Sequence, residues 1–168
     1  QCWFAENLRA TVFPDDSPIT KGNPINGQSW GNSSTSNYSC PGNAAANAED
    51  CAAAGGELKL GMFYQPKTVL NGATFVVTGP GPQGICPANW HVPSDDGTTN
   101  SDIGLLINTV SAISGCSSNV GACLRVGGAS GFNLPYAGYR QADGWYWLRS
   151  YVRLWTASHN SYGYNRWL

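Results

Sequence analysis

Asp95, Asp96, Asn100 and Asp102 put three carboxylates and one amide within eight residues. That is enough oxygen to interest calcium, which takes roughly 6 to 8 oxygen ligands. The spacing is not that of an EF-hand loop, and a plainer role suits the same residues better. Ser94 and Asp95 then form a turn, while Asn100, Ser101 and Asp102 cap a following helix. Calcium is thus the only cofactor the sequence brings into question, and it ranks behind capping. His91, between Trp90 and Val92, has the chemistry of a general base or metal ligand. Against that, the prolines around it favour a strand-end imidazole bonded to the backbone, and the only other histidine, His159, lies 68 residues away in the sequence. His91 is therefore expected to be dispensable and Trp90 to be core. A third set is Arg140, Trp145, Trp147, Tyr151, Tyr162 and Tyr164, whose ring faces can stack on the CH faces of sugars while Arg140 supplies hydrogen bonds. Alternation along a hairpin sends about half of such rings inward, so a core role for them weighs about equally. The sequence contains no Gly-x-Ser-x-Gly, His-Glu-x-x-His or phosphate loop, and the chain reads as not an enzyme.

These residues need elements to hold them. Between Asn100 and Ser114, apolar residues fall at Ile103, Leu106, Ile107, Val110 and Ile113, which predicts a helix capped by Asn100 or Ser101. Leu58–Tyr64 and Thr74–Thr78 read as strands bounded by Gly and Pro. From Phe132 onward the chain carries more than half of its aromatic residues, interrupted by Asp143-Gly144, which predicts an antiparallel hairpin. Ala44–Ala54 is Ala-rich and predicts a short helix, while Pro, Gly, Asn and Ser make the rest of 14–57 ordered loop. Asn32 and Asn37 lie in Asn-x-Ser frames that a glycan would need, although a polar turn is the favoured reading there.

A chain of 168 residues is long enough to bury a real core, and one domain over 1–168 is expected. With 11% charged residues and a net charge of -1, it offers no electrostatic purchase on nucleic acid or anionic lipid. Six cysteines without a Cys-x-x-Cys spacing read as disulfides in an oxidising compartment, so an extracellular location is expected. Cys40 with Cys51 and Cys116 with Cys123 each close a short loop, which leaves Cys2 with Cys86 as the third pair. No apolar run has the ~20 residues of a membrane span.

Cys2-Trp3-Phe4-Ala5-Glu6-Asn7-Leu8, the segment Gln83-Gly84-Ile85-Cys86-Pro87 through Trp90-His91-Val92-Pro93-Ser94-Asp95, and Ala137-Gly138-Tyr139-Arg140 occur in that order. Together with Phe63-Tyr64 and Leu154–Ser158 they resemble the Fibrobacter succinogenes major paralogous domain, an exported bacterial surface module. The resemblance implies a leader or pilin-like segment ahead of Gln1 and a further strand beyond Leu168. The helix after Ser-Asp followed by an aromatic hairpin is similar to formylglycine-generating enzymes and other C-type-lectin-like domains. That implies an α+β fold of one or two helices on small, twisted antiparallel sheets with long disulfide-stapled loops. It also implies a non-catalytic module of the cell surface, envelope or an extracellular filament or pilus, working by adhesion or subunit contacts. Its partners would be copies of itself or other envelope subunits, with the aromatic, Arg-rich last third in the contact. The alternative is a carbohydrate-binding, calcium-assisted lectin-like domain whose partners are glycans.

Overall fold

The computed structural model describes residues 1–22, 36–40, 60–76, 78–141, 144–147, 150–159 and 165–167. Among them the elements run β1 (Thr20–Lys21), β2 (Asn37–Ser39), β3 (Phe63–Tyr64), α1 (Pro66–Leu70), α2 (Asp102–Ser111), α3 (Val120–Leu124), β4 (Tyr139–Gln141), β5 (Gly144–Tyr146), β6 (Trp155–His159) and β7 (Asn165–Trp167). The fold is mixed α/β: a three-stranded sheet in the order β1-β2-β3, two hairpins β4–β5 and β6–β7, and three helices. No helix among the described residues is long and apolar enough to cross a membrane.

Helix α2 forms where the apolar stripe places it. Ser101 lies in an extended conformation and its side chain accepts from the Gly104 N–H, satisfying one of the donors that a helix start leaves open. Asp102 sits in the first turn, where a carboxylate complements the helix dipole, and Ile103, Leu106 and Val110 face inward. Ile103 is 1% exposed, and such burial stabilises by about 1.5–3 kcal/mol.

The helix count exceeds the expected one or two. Helix α1 starts on Pro66, whose fixed φ suits a first helical position, and ends at Asn71 in the left-handed region, φ +48°. Helix α3 is capped by Asn119, whose side chain accepts from the Ala122 N–H, and lies within the loop closed by Cys116–Cys123. Each helix has five residues, too few to show a period.

The strands also differ from expectation. β1 pairs with β2 in parallel, whereas β2 and β3 pair antiparallel. A parallel pair needs a connection of a dozen or so residues, which the chain between β1 and β2 supplies. Of the run expected over Leu58–Tyr64, Leu58 and Lys59 lie outside the described residues, and among the rest Phe63–Tyr64 is strand. That expected over Thr74–Thr78 is a single bridge from Val76 to Ser158. The apolar residues there pack on the core without a ladder to extend them. Asn37 is buried at 7% exposure within β2, so its Asn-x-Ser frame has no room for a glycan. The expected Ala44–Ala54 helix, Asn32 and Val77 lie outside the described residues.

Two apolar clusters form the core. One joins Phe13, Ile19, Tyr64, Val69, Ile85, Cys86, Val92 and Ala157, with Trp90 and Trp155 packed against it. The other joins Leu106, Val110, Cys116, Cys123 and Leu124, with Trp3 and Phe132 against it.

Candidate functional site

The segment from Gln83 to Asp102 is built to hold pieces of chain together. Gly84 has φ +56°, and a Cβ there would fall on the Val69 carbonyl, so only glycine allows the approach. The Ile85 N–H then donates to Val69 O at 2.9 Å, which locks the segment to the end of α1. Asn89 takes φ +68°, a conformation asparagine tolerates, and the Trp90 N–H closes a turn onto Pro87 O at 3.0 Å. Further on, Val92 N–H donates to Pro82 O and Ala157 N–H donates to Pro93 O, tying the segment to β6.

His91 and Asp102 meet at the far end. The Asp102 Oδ2 accepts from the Ser94 N–H at 2.8 Å, the Ser94 hydroxyl at 2.9 Å and His91 Nε2 at 3.1 Å. The Asp102 N–H returns a bond to Ser94 Oγ at 3.2 Å, and Gln1 Nε2 donates to the Asp102 carbonyl and Oδ1. Burial alone would raise the Asp102 carboxyl. The Ser94 and His91 hydrogen bonds outweigh it and hold the group below its usual value, so it is the ionised acceptor and Nε2 carries the proton. The imidazole partner is thus a carboxylate 11 residues on, not the expected backbone group, and the ring is exposed. Because Ser94 gives its proton to Asp102, the imidazole activates no hydroxyl in this cluster. Chemically the cluster is a clamp joining the N-terminal segment, the signature segment and the start of α2.

The other carboxylates are spent locally. Asp95 Oδ1 accepts from the Gly97 N–H, and Asp96 Oδ1 accepts from the Thr98 N–H and hydroxyl, while Asn100 is exposed. Asp95, Asp96 and Asp102 do not converge, and no three His, Cys, Asp or Glu side chains among the described residues group to hold a metal ion. Asp95 and Asp96 thus make turn bonds and Ser101 caps α2, in line with the role ranked ahead of calcium.

A cavity of about 630 Å³ opens beside the clamp, and sequence reasoning missed it. Its walls include Trp3, Phe4, Trp90, Phe132 and Trp155, with His91 and Asp102 also lining it. Phe4 stacks on Trp90 with ring centroids 4.1 Å apart and planes at 17°, while Trp3 meets Phe132 edge-on at 5.6 Å. Trp90 is therefore half-buried against the core, not enclosed in it. The signal available was the Trp3-Phe4 pair in the opening motif, which needs somewhere to pack.

Cys116 and Cys123 are bonded as expected. Cys40 is disulfide-bonded, and its expected partner Cys51 lies outside the described residues. The third pair is corrected: Cys2 and Cys86 are both free thiols. Cys86 is packed into the core beside Val69 and Val92, whereas Cys2 is exposed, so the two sulfurs occupy different environments. Burial pushes the Cys86 thiol up to about 11, which leaves it protonated and a poor nucleophile at neutral pH.

The predicted aromatic site comes together in part. In the β4–β5 hairpin Tyr139 faces Tyr146, and their rings stack at 5.5 Å and 16°. The Arg153 guanidinium lies 3.6 Å over the Tyr139 ring. Tyr151 meets Tyr139 at 6.4 Å and 73°, and meets Trp147 at 6.4 Å and 62°. Trp147 is 63% exposed, Tyr151 is 45% exposed, and Trp147 has φ +59°. The Tyr151 and Ser150 N–H groups both donate to Trp147 O, so a tight turn fixes this corner.

Arg140 is not part of this corner. It precedes Gln141 and follows Tyr139 in β4, so the pleat turns it to the opposite face, where partial burial lowers its pKa. Trp145 stands opposite Arg140 in register, but its side chain is not among those described, and Tyr162 and Tyr164 lie outside the described residues. Tyr139 and Arg153 are the members that sequence reasoning missed.

Residues 1–167 match the family model of the Fibrobacter succinogenes major domain. No curated protein and no solved structure matches the chain.

Proposed function

We propose, since the chain belongs to the Fibrobacter succinogenes major domain family, that it is a non-catalytic module displayed outside a bacterial cell, on the envelope or an extracellular filament. It acts as one unit over its length and works by contact, adhering to other surface components through the Trp147–Tyr151 corner. One observation carries this reading: a tryptophan that is 63% exposed is held in the left-handed backbone region by the turn it starts. A non-glycine residue there costs about 1–2 kcal/mol, and neither burial nor fold geometry requires so large a side chain. Tyr and Trp are also the residues that dominate contact energies at interfaces. The Cys116–Cys123 bond supports an oxidising compartment. A C-type-lectin-like arrangement goes with the proposal, supported by one long helix after the signature segment and by the exposed Trp147 that follows the β4–β5 hairpin.

External protease on intact source cells, together with sedimentation of the natively isolated material, tests the reading. The expected result is a chain cleaved from outside, recovered in particles larger than a monomer, and released as a monomer by Trp147→Ala. A chain protected within intact cells overturns it. So does one that stays associated when Trp147 and Tyr151 are both alanine.

A further inference from the structure

We infer that the Trp147–Tyr151 corner binds one carboxylate-bearing sugar ring of a glycan, an inference that rests on the contact role proposed for this corner and names its ligand class. Area comes first. A Trp or Tyr offers about 150–250 Å² of contact surface. With Trp147 63% and Tyr151 45% exposed, the corner offers roughly 160–270 Å². A stable protein interface needs about 800 Å² per partner, so in a contact with another subunit this corner is a hot spot within a larger patch, whereas a single pyranose fills a corner of this size by itself. The other exposed large apolar residues, Phe4, Val12, Leu105 and Val126, come from separate segments of the chain.

Shape narrows the class further. Two rings 6.4 Å apart and inclined at 62° form a corner, not a flat platform. Such a corner takes a ring with one CH face on Trp147 and an edge on Tyr151, and its hydroxyls remain in water. Charge then chooses among ring-shaped ligands. A cation would seek an aromatic face, but Arg153 covers Tyr139 at 3.6 Å and lies 5.9 Å from the Tyr151 ring. That places a positive charge beside the corner, within a Debye length of about 8 Å at physiological salt. A carboxylate is attracted there and an ammonium repelled.

Affinity electrophoresis of the full chain, using polyuronates of gluco, manno and galacto configuration, tests the inference. Each polymer is paired with its carboxyl-reduced form, which keeps the ring and removes the charge. At least one polyuronate is expected to retard the protein, with its reduced form about tenfold weaker. Trp147→Ala and Tyr151→Ala should each lose about tenfold in affinity, with unchanged melting temperature. The inference is overturned if no polyuronate binds better than its reduced form, or if binding survives Trp147→Ala undiminished. Should no glycan bind while Trp147→Ala still frees the chain from its assemblies, the sugar falls and the contact role stands. If Trp147→Ala alters neither glycan binding nor assembly, both fall.

Discussion

Replacing Asp102 with alanine tests whether the clamp beside the cavity is structural. Ser94 is 2% exposed, and its N–H and hydroxyl both donate to Asp102 Oδ2, at 2.8 and 2.9 Å. Truncation leaves two buried donors unmet, at about 1–3 kcal/mol each. It also removes the carboxylate from the first turn of α2, about 0.3–1 kcal/mol. The Asp102 side chain is 20% exposed, so water enters and returns part of the loss. A net cost of about 2–3 kcal/mol follows, which for a domain of this size lowers the melting temperature by about 5–10 °C. The pH dependence has a definite sign. The folded-state carboxyl lies below its ordinary value, so its contribution is complete above about pH 4 and is lost as pH falls through the lower folded value. Thermal melts from pH 7 to pH 2 should show the wild type losing stability over that acid range more steeply than Asp102→Asn. Asp15 is also lowered, by its Ser17 hydrogen bonds, but it is common to both proteins and cancels in the comparison. The reasoning is refuted if Asp102→Ala melts within about 1 °C of wild type at pH 7, or if the two acid limbs superimpose.

Cys116→Ser with Cys123→Ser opens a loop of sequence separation 7, which the chain-entropy relation values at about 2.5 kcal/mol; denaturant melts in urea read that loss directly. Gly84→Ala combines a left-handed backbone with a clash against the Val69 carbonyl and should cost at least about 2 kcal/mol, whereas Gly115→Ala, with open space around it, should cost only the backbone strain of about 1 kcal/mol. Trp90→Ala removes the stack on Phe4 and should cost about 2–3 kcal/mol, less than full burial would give, while His91→Ala, at an exposed hydrogen bond to Asp102, should change stability by less than about 1 kcal/mol; paired thermal melts decide between them. Trp147→Asn should leave the melting temperature within about 3 °C of wild type, because asparagine accepts φ +59° more readily than tryptophan and this offsets the lost edge contact with Tyr151.

Helix α2 was legible because its stripe, cap and first-turn acid agree, and the β4–β5 hairpin because aromatic strands flank a turn signal. What escaped was held by distant contacts. Helix α1 exists because Val69 and Leu70 are buried and Val69 O receives Ile85 N–H, and five residues alone do not announce a helix. The parallel β1–β2 pair rests on two register positions, Thr20 with Asn37 and Lys21 with Tyr38, with no alternation to expose it. The cavity required knowing that the opening Trp3-Phe4 folds back over Trp90 and Phe132, a contact across much of the chain. At the aromatic site the residue types were readable, but membership was decided by the pleat, which kept Tyr139 and turned Arg140 away.

The scaffold and the proposed contact surface are therefore different parts of this chain, and the strain each carries separates them. In the signature segment the unusual backbone positions, Gly84 at φ +56° and Asn89 at φ +68°, are occupied by residues that accept them, and each serves a close approach or a turn. Local preference and global fold agree there, which is what a structural segment requires. At Trp147 they disagree: the same backbone region holds a bulky ring that points into solvent and stabilises little. A cost of about 1–2 kcal/mol set against a ring that remains 63% exposed leaves little net gain in folding and more to recover in binding, since a ligand that covers the ring buries the remaining apolar area. The Trp147–Tyr151 corner, at the open end of the β4–β5 hairpin, is the place to test the proposed binding without disturbing the fold, and the clamp at Asp102 is the place to disturb the fold without touching the corner.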